Sequence, residues 1–274
     1  MMGKAVMART SISGFEKVQF RAGMLSLAGK VAGRAMLDLV LPPRCLACQA
    51  RVATPGNLCG RCWQGMAYLA APVCARYGTP FSHDLGEGGL SARAIMDPPV
   101  FDKASAVATY QGIARSLVLS LKFNRRRDLA EPMGSWMAQA GRELIMPETL
   151  VIPVPLHRFR LWQRRFNQSA DLARVVAREA GLDWDPMLLQ RARRTRQQVG
   201  LDSSARQTNV RGAFKLRNGW ENQVHGRPVL LIDDVLTTGS TVAACTKVLR
   251  KAGAVSVDVL TFAVAVNEDG HEDR

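Results

Sequence analysis

From residue 101 onward, apolar positions alternate between two patterns. Apolar-rich runs occupy Ala104–Tyr110, Leu150–Pro155, Val229–Ile232 and Val255–Val264 and read as strands. Val229–Ile232, with turn signals on both sides, reads as one buried on both faces. Between them, apolar residues recur at spacings of three and four in Ile113–Leu121, Pro132–Ile145, Phe166–Ala180 and Val242–Ala252. In the third of these, Phe166, Ala170, Ala173, Val176, Ala177 and Ala180 share one helix face, and Gly181 stops it. Strand runs interleaved with amphipathic helices predict an α/β core.

The N-terminal part reads differently. Residues 22–40 carry an amphipathic helical pattern that Lys30 and Arg34 interrupt and Pro42-Pro43 terminates. A secretory signal needs an unbroken apolar core of about 7–15 residues, so this helix is expected to dock on the protein. No apolar run approaches the ~20 residues of a membrane span, and stable membrane insertion is not expected. Residues 82–100 are rich in Gly and Pro and read as a linker or irregular cap. The expected division is an extension over 1–44, a cysteine module over 45–80, a linker or cap over 81–100, the α/β domain over 101–266 and a solvated tail over 267–274. The cysteine module and the α/β domain are expected to have separate cores.

The chemistry concentrates in Val229–Val242, VLLIDDVLTTGSTV. A short strand ends in Asp233 and Asp234, the chain turns through Thr237, Thr238, Gly239, Ser240 and Thr241, and a helix follows. Backbone N–H groups of such a turn, the helix N-terminus and the hydroxyls can converge on one phosphate. The two acids would repel that phosphate at close range, so they are expected to face sugar hydroxyls or a metal ion. Residues at the open end of a strand pack little. Replacing both acids by amides is therefore expected to leave stability nearly unchanged.

A second strand-to-helix loop follows Leu150–Pro155, where two prolines turn the chain out of the sheet. It carries His157, Arg158, Arg164 and Arg165 ahead of Asn167 and Gln168. Ligands of open parallel sheets sit beyond the carboxyl ends of the strands. One such loop suits a phosphate and the other, lined with arginines, a pyrophosphate. The net charge of +14 is concentrated here: residues 156–217 hold fourteen Lys/Arg against five Asp/Glu. Within them Arg191, Arg194, Arg196 and Gln197 lie on a stretch of little apolar periodicity. It is expected to be a mobile loop that closes on a polyanion or lies along a nucleic-acid backbone, with a short strand after it at Ala213-Phe214.

Four of the six cysteines form two tight pairs, Cys45-x-x-Cys48 and Cys59-x-x-Cys62. This is the spacing of a tetrahedral zinc site with two knuckles, and four thiolates leave no open position, so the metal is structural. Clustered cysteines also point to a reducing, cytoplasmic setting rather than to disulfides. Three residues after Cys74 stands Tyr77, a poor zinc ligand. Cys74 and Cys245 are expected to be buried as small apolar residues.

LLIDDVLTTGST resembles the 5-phosphoribosyl-1-pyrophosphate (PRPP) binding signature of type I phosphoribosyltransferases. That resemblance implies that Asp233 and Asp234 hold the ribose 2- and 3-hydroxyls, directly or through Mg2+, and that residues 237–241 cradle the 5-phosphate. Nearly the whole chain resembles the ComF family. The pieces are Leu41-Pro42-Pro43-Arg44-Cys45 with Cys48, Cys59-Gly-Arg-Cys62, Pro98-Pro99 with Phe101-Asp102, Tyr110 with Gly112, Leu121-Lys122-Phe123, Pro153-Val-Pro155-Leu-His157 with Arg160-Leu161, Arg165-Phe166-Asn167-Gln168, Arg194 with Gln197, and the PRPP-like signature. The resemblance implies an N-terminal zinc ribbon, often double, before a type I phosphoribosyltransferase-like domain with an open, mostly parallel sheet and flanking helices. The chain departs from this pattern at the second ribbon, where Tyr77 replaces a ligand and no later Cys pair follows.

Two functions fit. One is Mg2+-dependent transfer of a phosphoribosyl group to a nitrogenous base, which rests on positioning and leaving-group stabilisation and needs no side-chain nucleophile. The other is a non-enzymatic role in uptake or processing of single-stranded DNA, with competence or DNA-processing proteins as partners.

Overall fold

The computed structural model describes residues 42–81, 83, 85–86, 88–124, 126–156, 166–192 and 212–266. The predicted helix over 22–40, the arginines from His157 to Arg165, the loop residues Arg194, Arg196 and Gln197, and the tail over 267–274 lie outside them.

Among the described residues the sheet has four strands, all parallel. They are β1 (Ala104–Thr109), β2 (Leu150–Pro153), β5 (Pro228–Leu236) and β6 (Ser256–Val264), in the order β1-β6-β5-β2. A separate antiparallel pair joins β3 (Leu189–Arg191) to β4 (Phe214–Leu216). Six α-helices are described: α1 (Gly60–Gln64), α2 (Ala92–Met96), α3 (Gly112–Phe123), α4 (Ala130–Ala140), α5 (Gln168–Ala180) and α6 (Ser240–Lys251). The open parallel sheet with flanking helices is the predicted architecture. Ala114, Leu117, Val118 and Leu121 line the buried face of α3, and Val242, Cys245, Thr246 and Leu249 that of α6. In α5 Ala173, Val176 and Ala177 are buried as predicted, but Phe166 precedes the helix, Ala170 and Ala180 are half-buried, and Leu172 and Val175 join the core instead.

Two findings revise the reading from sequence. β5 runs past Ile232 through both acids to Leu236, because β6 continues alongside it, with Asp233 opposite Thr261 and Leu236 opposite Val264. The cores are also not separate. Cys45, Leu46, Leu58, Cys62 and Met66 belong to the same cluster as Leu117, Leu230, Ile232, Leu260 and Phe262. An aromatic series carries that contact inward: Trp63 lies 5.8 Å from Trp136, and Trp136 lies 6.2 Å from Phe262.

The opposite sheet face, with Val229, Leu231, Val257 and Val259, gathers Cys74, Tyr77, Ala94 and Phe101 together with α6. Successive residues of a strand point to opposite faces. The two N-terminal segments therefore clamp the sheet from both sides. At Gly78 the clamp is tight: its φ is +63°, and a Cβ there would stand 2.4 Å from the carbonyl oxygen of Ala104.

Candidate functional site

The carboxyl end of β5 brings the two acids into one charged cluster. Asp234, only 3 % exposed, forms an ion pair with Lys122 at 2.7 Å and accepts a hydrogen bond from Gln168 Nε2 at 2.9 Å. Asp233 accepts from Ser169 Oγ at 2.9 Å and from the backbone N–H of Asp234. Lys122 comes from the last turn of α3, Gln168 and Ser169 from the first turn of α5. Burial and the Asp234 charge push the Asp233 carboxyl up to about 7, against the pull of Lys122. Burial opposes the charge on Lys122, but Asp234 and then Asp233 outweigh it and raise its pKa. The acids thus pack closely, which removes the premise that residues at the open end of this strand pack little.

Beyond the acids, Thr237 is exposed and Thr238 half-buried, while Gly239 and Ser240 are buried. Thr238 Oγ1 and Ser240 Oγ share a hydrogen bond of 2.7 Å. Gly239 is the N-cap of α6 with φ +76°, a left-handed conformation that disfavours a Cβ. The turn thus delivers the chain into a twelve-residue helix whose N-terminus favours anions. The exposed guanidinium of Arg93 reaches this turn from α2 and donates through Nη2 to the carbonyl oxygen of Thr238 at 2.5 Å.

The residues assigned from sequence to pyrophosphate divide. Asn167 caps α5: its Oδ1 accepts from Ser169 N–H and its Nδ2 donates to the Val154 carbonyl. Gln168 is buried against Asp234. Arg191 ends β3, opposite Phe214, with its guanidinium 5.2 Å from that ring, so it belongs to a strand rather than to a loop. Three contributors were not anticipated. Lys122 lies in the Leu121-Lys122-Phe123 stretch that resembles the family but carries no assigned role, Ser169 carries no signal beyond following Asn167-Gln168, and Arg93 lies in the segment that reads as linker.

The predicted zinc ligands come together. One sulfur from each of Cys45, Cys48, Cys59 and Cys62 lies within 4.8 Å of the others. Four thiols at this distance cannot all ionise without a cation. Burial raises Cys45, yet N–H groups of Cys48, Cys59 and Ala47 outweigh it and bring the thiol down to about 6. Burial and the neighbouring sulfurs push Cys62 up to about 12. A divalent zinc ion relieves that conflict, and the all-sulfur donor set fits it.

A second knuckle follows the same path with other side chains. Around Cys45, Arg44 bridges Arg51 and Gln49 has φ +63°; around Cys74, Val73 bridges Pro80 and Gly78 has φ +63°. Cys59 precedes α1 and donates its N–H to Cys45 Sγ at 3.2 Å. Ser91 precedes α2 and donates its N–H to Cys74 Sγ at 3.4 Å. The four ligand positions of this second knuckle are therefore 74, 77, 91 and 94, filled by Cys, Tyr, Ser and Ala. Tyr77 packs edge-on against Phe101 at 5.6 Å and donates from its hydroxyl to the Asp97 carbonyl. Cys74 and Cys245 are buried as expected.

Residues 36–95 match the family described as the double zinc ribbon domain, which agrees with both knuckles. Among solved structures, the allosteric regulatory enzyme of purine biosynthesis aligns at 20 % identity and a TM-score of 0.36, over 53 % of this chain and 30 % of that one. A structure from Thermus thermophilus aligns at 18 % identity and a TM-score of 0.31, over 51 % of this chain and 84 % of its own. Curated relatives match far more of the sequence. The DNA utilization protein YhgH of Salmonella typhimurium is 32 % identical over 228 residues, 81 % of this chain and 96 % of its own length. Competence protein F of Haemophilus influenzae is 30 % identical over 229 residues, 81 % of this chain and 97 % of its own. With a zinc ribbon ahead of a parallel α/β sheet, and with these relatives aligned over nearly their whole length, the chain belongs to the ComF family, that of competence protein F and the DNA utilization protein YhgH.

Proposed function

We propose that the chain binds a phosphoribosyl ligand, PRPP or a close relative, in the crevice beyond the carboxyl ends of β5 and β2, and transfers the phosphoribosyl group to a nitrogenous base. The carrying observation is the unit formed by β5, the 237–241 turn and α6. It sets two acids, a left-handed glycine and a helix N-terminus within one strand-to-helix connection. A 5-phosphate would lie in the turn, where N–H and hydroxyl donors replace water. The ribose 2- and 3-hydroxyls would donate to the acids, chiefly to Asp233.

Asp234 already faces the Lys122 ammonium at 2.7 Å. A magnesium ion seated on Asp234 would have to displace that ammonium, so no step here runs through one. Because Asn167 and Gln168 are engaged within the protein, the pyrophosphate is assigned to the basic residues His157, Arg158, Arg164 and Arg165. They follow β2 in the sequence, and β2 runs parallel to β5. Stabilising the departing pyrophosphate and holding the acceptor in line would supply the catalysis.

Calorimetric titration with PRPP and with ribose 5-phosphate, each with and without Mg2+, tests binding. A screen of purine and pyrimidine bases for pyrophosphate release tests turnover. The expected result is saturable binding of both ligands and pyrophosphate release with a restricted set of bases. Absence of binding by either ligand would overturn the reading.

A second reading is favoured by the names of the relatives and by the charge of residues 156–217. In it the crevice engages single-stranded DNA in an accessory role. Each phosphate contact then contributes about 0.7 to the slope of log K against log salt. A steep slope without competition by PRPP would favour this reading.

A further inference from the structure

We infer that the second knuckle, with Cys74 its one remaining sulfur, serves as the back wall of the anion turn, and that Arg93 is the residue through which it positions that turn for a phosphate monoester. This deepens the reading above and rests on it.

The knuckle equivalence places Arg93 one residue before position 94, as Arg61 stands one residue before Cys62. Cys59-Gly-Arg-Cys62 and Ser91-Ala-Arg-Ala94 are the same turn of backbone. The second arginine reaches the 237–241 turn, and its guanidinium is stacked 4.2 Å over the Tyr77 ring. Tyr77 fills a ligand position, so the ring that replaced a sulfur now supports the arginine. Tyr77 is held in turn by Phe101, which stands beside the turn: a Cβ built on Gly239 would lie 3.7 Å from the Phe101 ring and 4.0 Å from Arg93 Nη2.

What the contact does follows from the planarity of the peptide bond. In a trans peptide the carbonyl oxygen and the next N–H point in opposite directions. Arg93 holds the Thr238 carbonyl toward the knuckle, so the N–H of Gly239 is turned away from the knuckle, to the open side of the turn. Without that hold, the peptide could rotate about the permissive glycine and present its oxygen to the anion instead. Arg93 also places a fixed positive charge behind the turn. The contact with Thr238 uses one of its five N–H donors.

The test is titration with ribose 5-phosphate of the full chain and four variants. Arg93→Ala is expected to weaken binding about tenfold, equivalent to about 1.4 kcal/mol, while the melting temperature stays within two degrees or so, because the side chain is exposed. Arg93→Lys keeps the charge but not the planar fork and is expected to recover part of the loss. Tyr77→Phe keeps the ring under the guanidinium and should bind as the wild type does, whereas Tyr77→Leu should lose affinity in the direction of Arg93→Ala. The 31P resonance of saturated ligand should move between wild type and Arg93→Ala, which a distant structural effect would not produce. Wild-type binding with Arg93→Ala equal to it within twofold would overturn the inference and leave the phosphoribosyl reading standing. No binding by the wild type would overturn both.

Discussion

In the first ribbon four sulfurs stand within 4.8 Å of one another; in the second a single sulfur faces a phenol, a hydroxyl and a methyl group on the same backbone path. The first needs a cation to settle its charges. The second settles them with hydrogen bonds and packing: Ser91 donates to Cys74 from both its N–H and its Oγ, and Tyr77 lies between Phe101 and Arg93. The contact surface differs too. The first ribbon sits on the α3, α4 and α5 face of the sheet, the second on the α6 face beside the 237–241 turn. A ribbon backbone of this path can therefore hold without four sulfurs where the sheet supplies the packing.

The largest effects should come from breaking the metal side of this comparison. The native protein is expected to hold one zinc, measured by elemental analysis. Cys59→Ser should release it and lower the melting temperature on the order of 10 °C or more. The loss should spread through the domain in a single transition, because Cys45, Leu58 and Cys62 share a cluster with Phe262. Two transitions would restore the picture of separate cores. Cys74→Ala removes only a hydrogen-bond acceptor and a small buried group, for about 1–2 kcal/mol and no change in zinc. The reverse experiment sharpens the same point. Tyr77→Cys, Ser91→Cys and Ala94→Cys together complete four sulfurs with Cys74 and should raise the zinc content to two. A content of one would show that the two knuckles are less alike than their hydrogen bonds suggest.

Lys122 plays at the acids the part that zinc plays among the sulfurs. Lys122→Met removes the cation and leaves Asp234 buried with its charge uncompensated. The expected cost is about 3 kcal/mol, roughly 6 to 12 °C in melting temperature. A melting temperature unchanged within two degrees or so would mean that Asp234 is balanced from elsewhere. It would also return magnesium to consideration.

How much of this could be read beforehand varies by residue. The parallel strands and their helices follow from local periodicity, and the zinc quartet from spacing alone. The far end of β5 was hidden because aspartates disfavour strands. The pairing of Asp233, Val235 and Leu236 with Thr261, Ala263 and Val264 holds it extended. Lys122 and Asp234 are 112 positions apart, and no local pattern says which helix end abuts which strand end. The second knuckle was masked by its own substitutions, since Tyr77, Ser91 and Ala94 carry no metal signature. Ser91 ahead of Ala92–Met96 was a legible N-cap, but the surrounding glycines and prolines read as linker. Arg191 reads as a loop residue because its strand is three residues long and its partner begins more than twenty positions later.

The smallest expected effect distinguishes the two acids within the site. Asp233 is held up to about 7 by burial and by Asp234, against Lys122 and the hydrogen bonds from Asp234 N–H and Ser169. An aspartate whose folded pKa is raised contributes stability that is complete below its unfolded value of 3.8 and lost as pH rises through about 7. Wild-type stability should therefore decline between about pH 4 and 7 relative to Asp233→Asn. Asp258, raised to about 6 by burial and Asp102, adds a decline of the same sign to both proteins and cancels in the difference. Ligand binding should run the other way, because only the ionised carboxylate can accept from two ribose hydroxyls at once. Affinity for ribose 5-phosphate should rise from pH 6 to pH 8 with a midpoint near 7 in the wild type. The second ionisation of the phosphate, near pH 6, contributes equally to both proteins, so Asp233→Asn should keep that component and lose the one near 7. Parallel curves for the two proteins would show that Asp233 does not touch the sugar, and would leave the turn and Arg93 to account for binding alone.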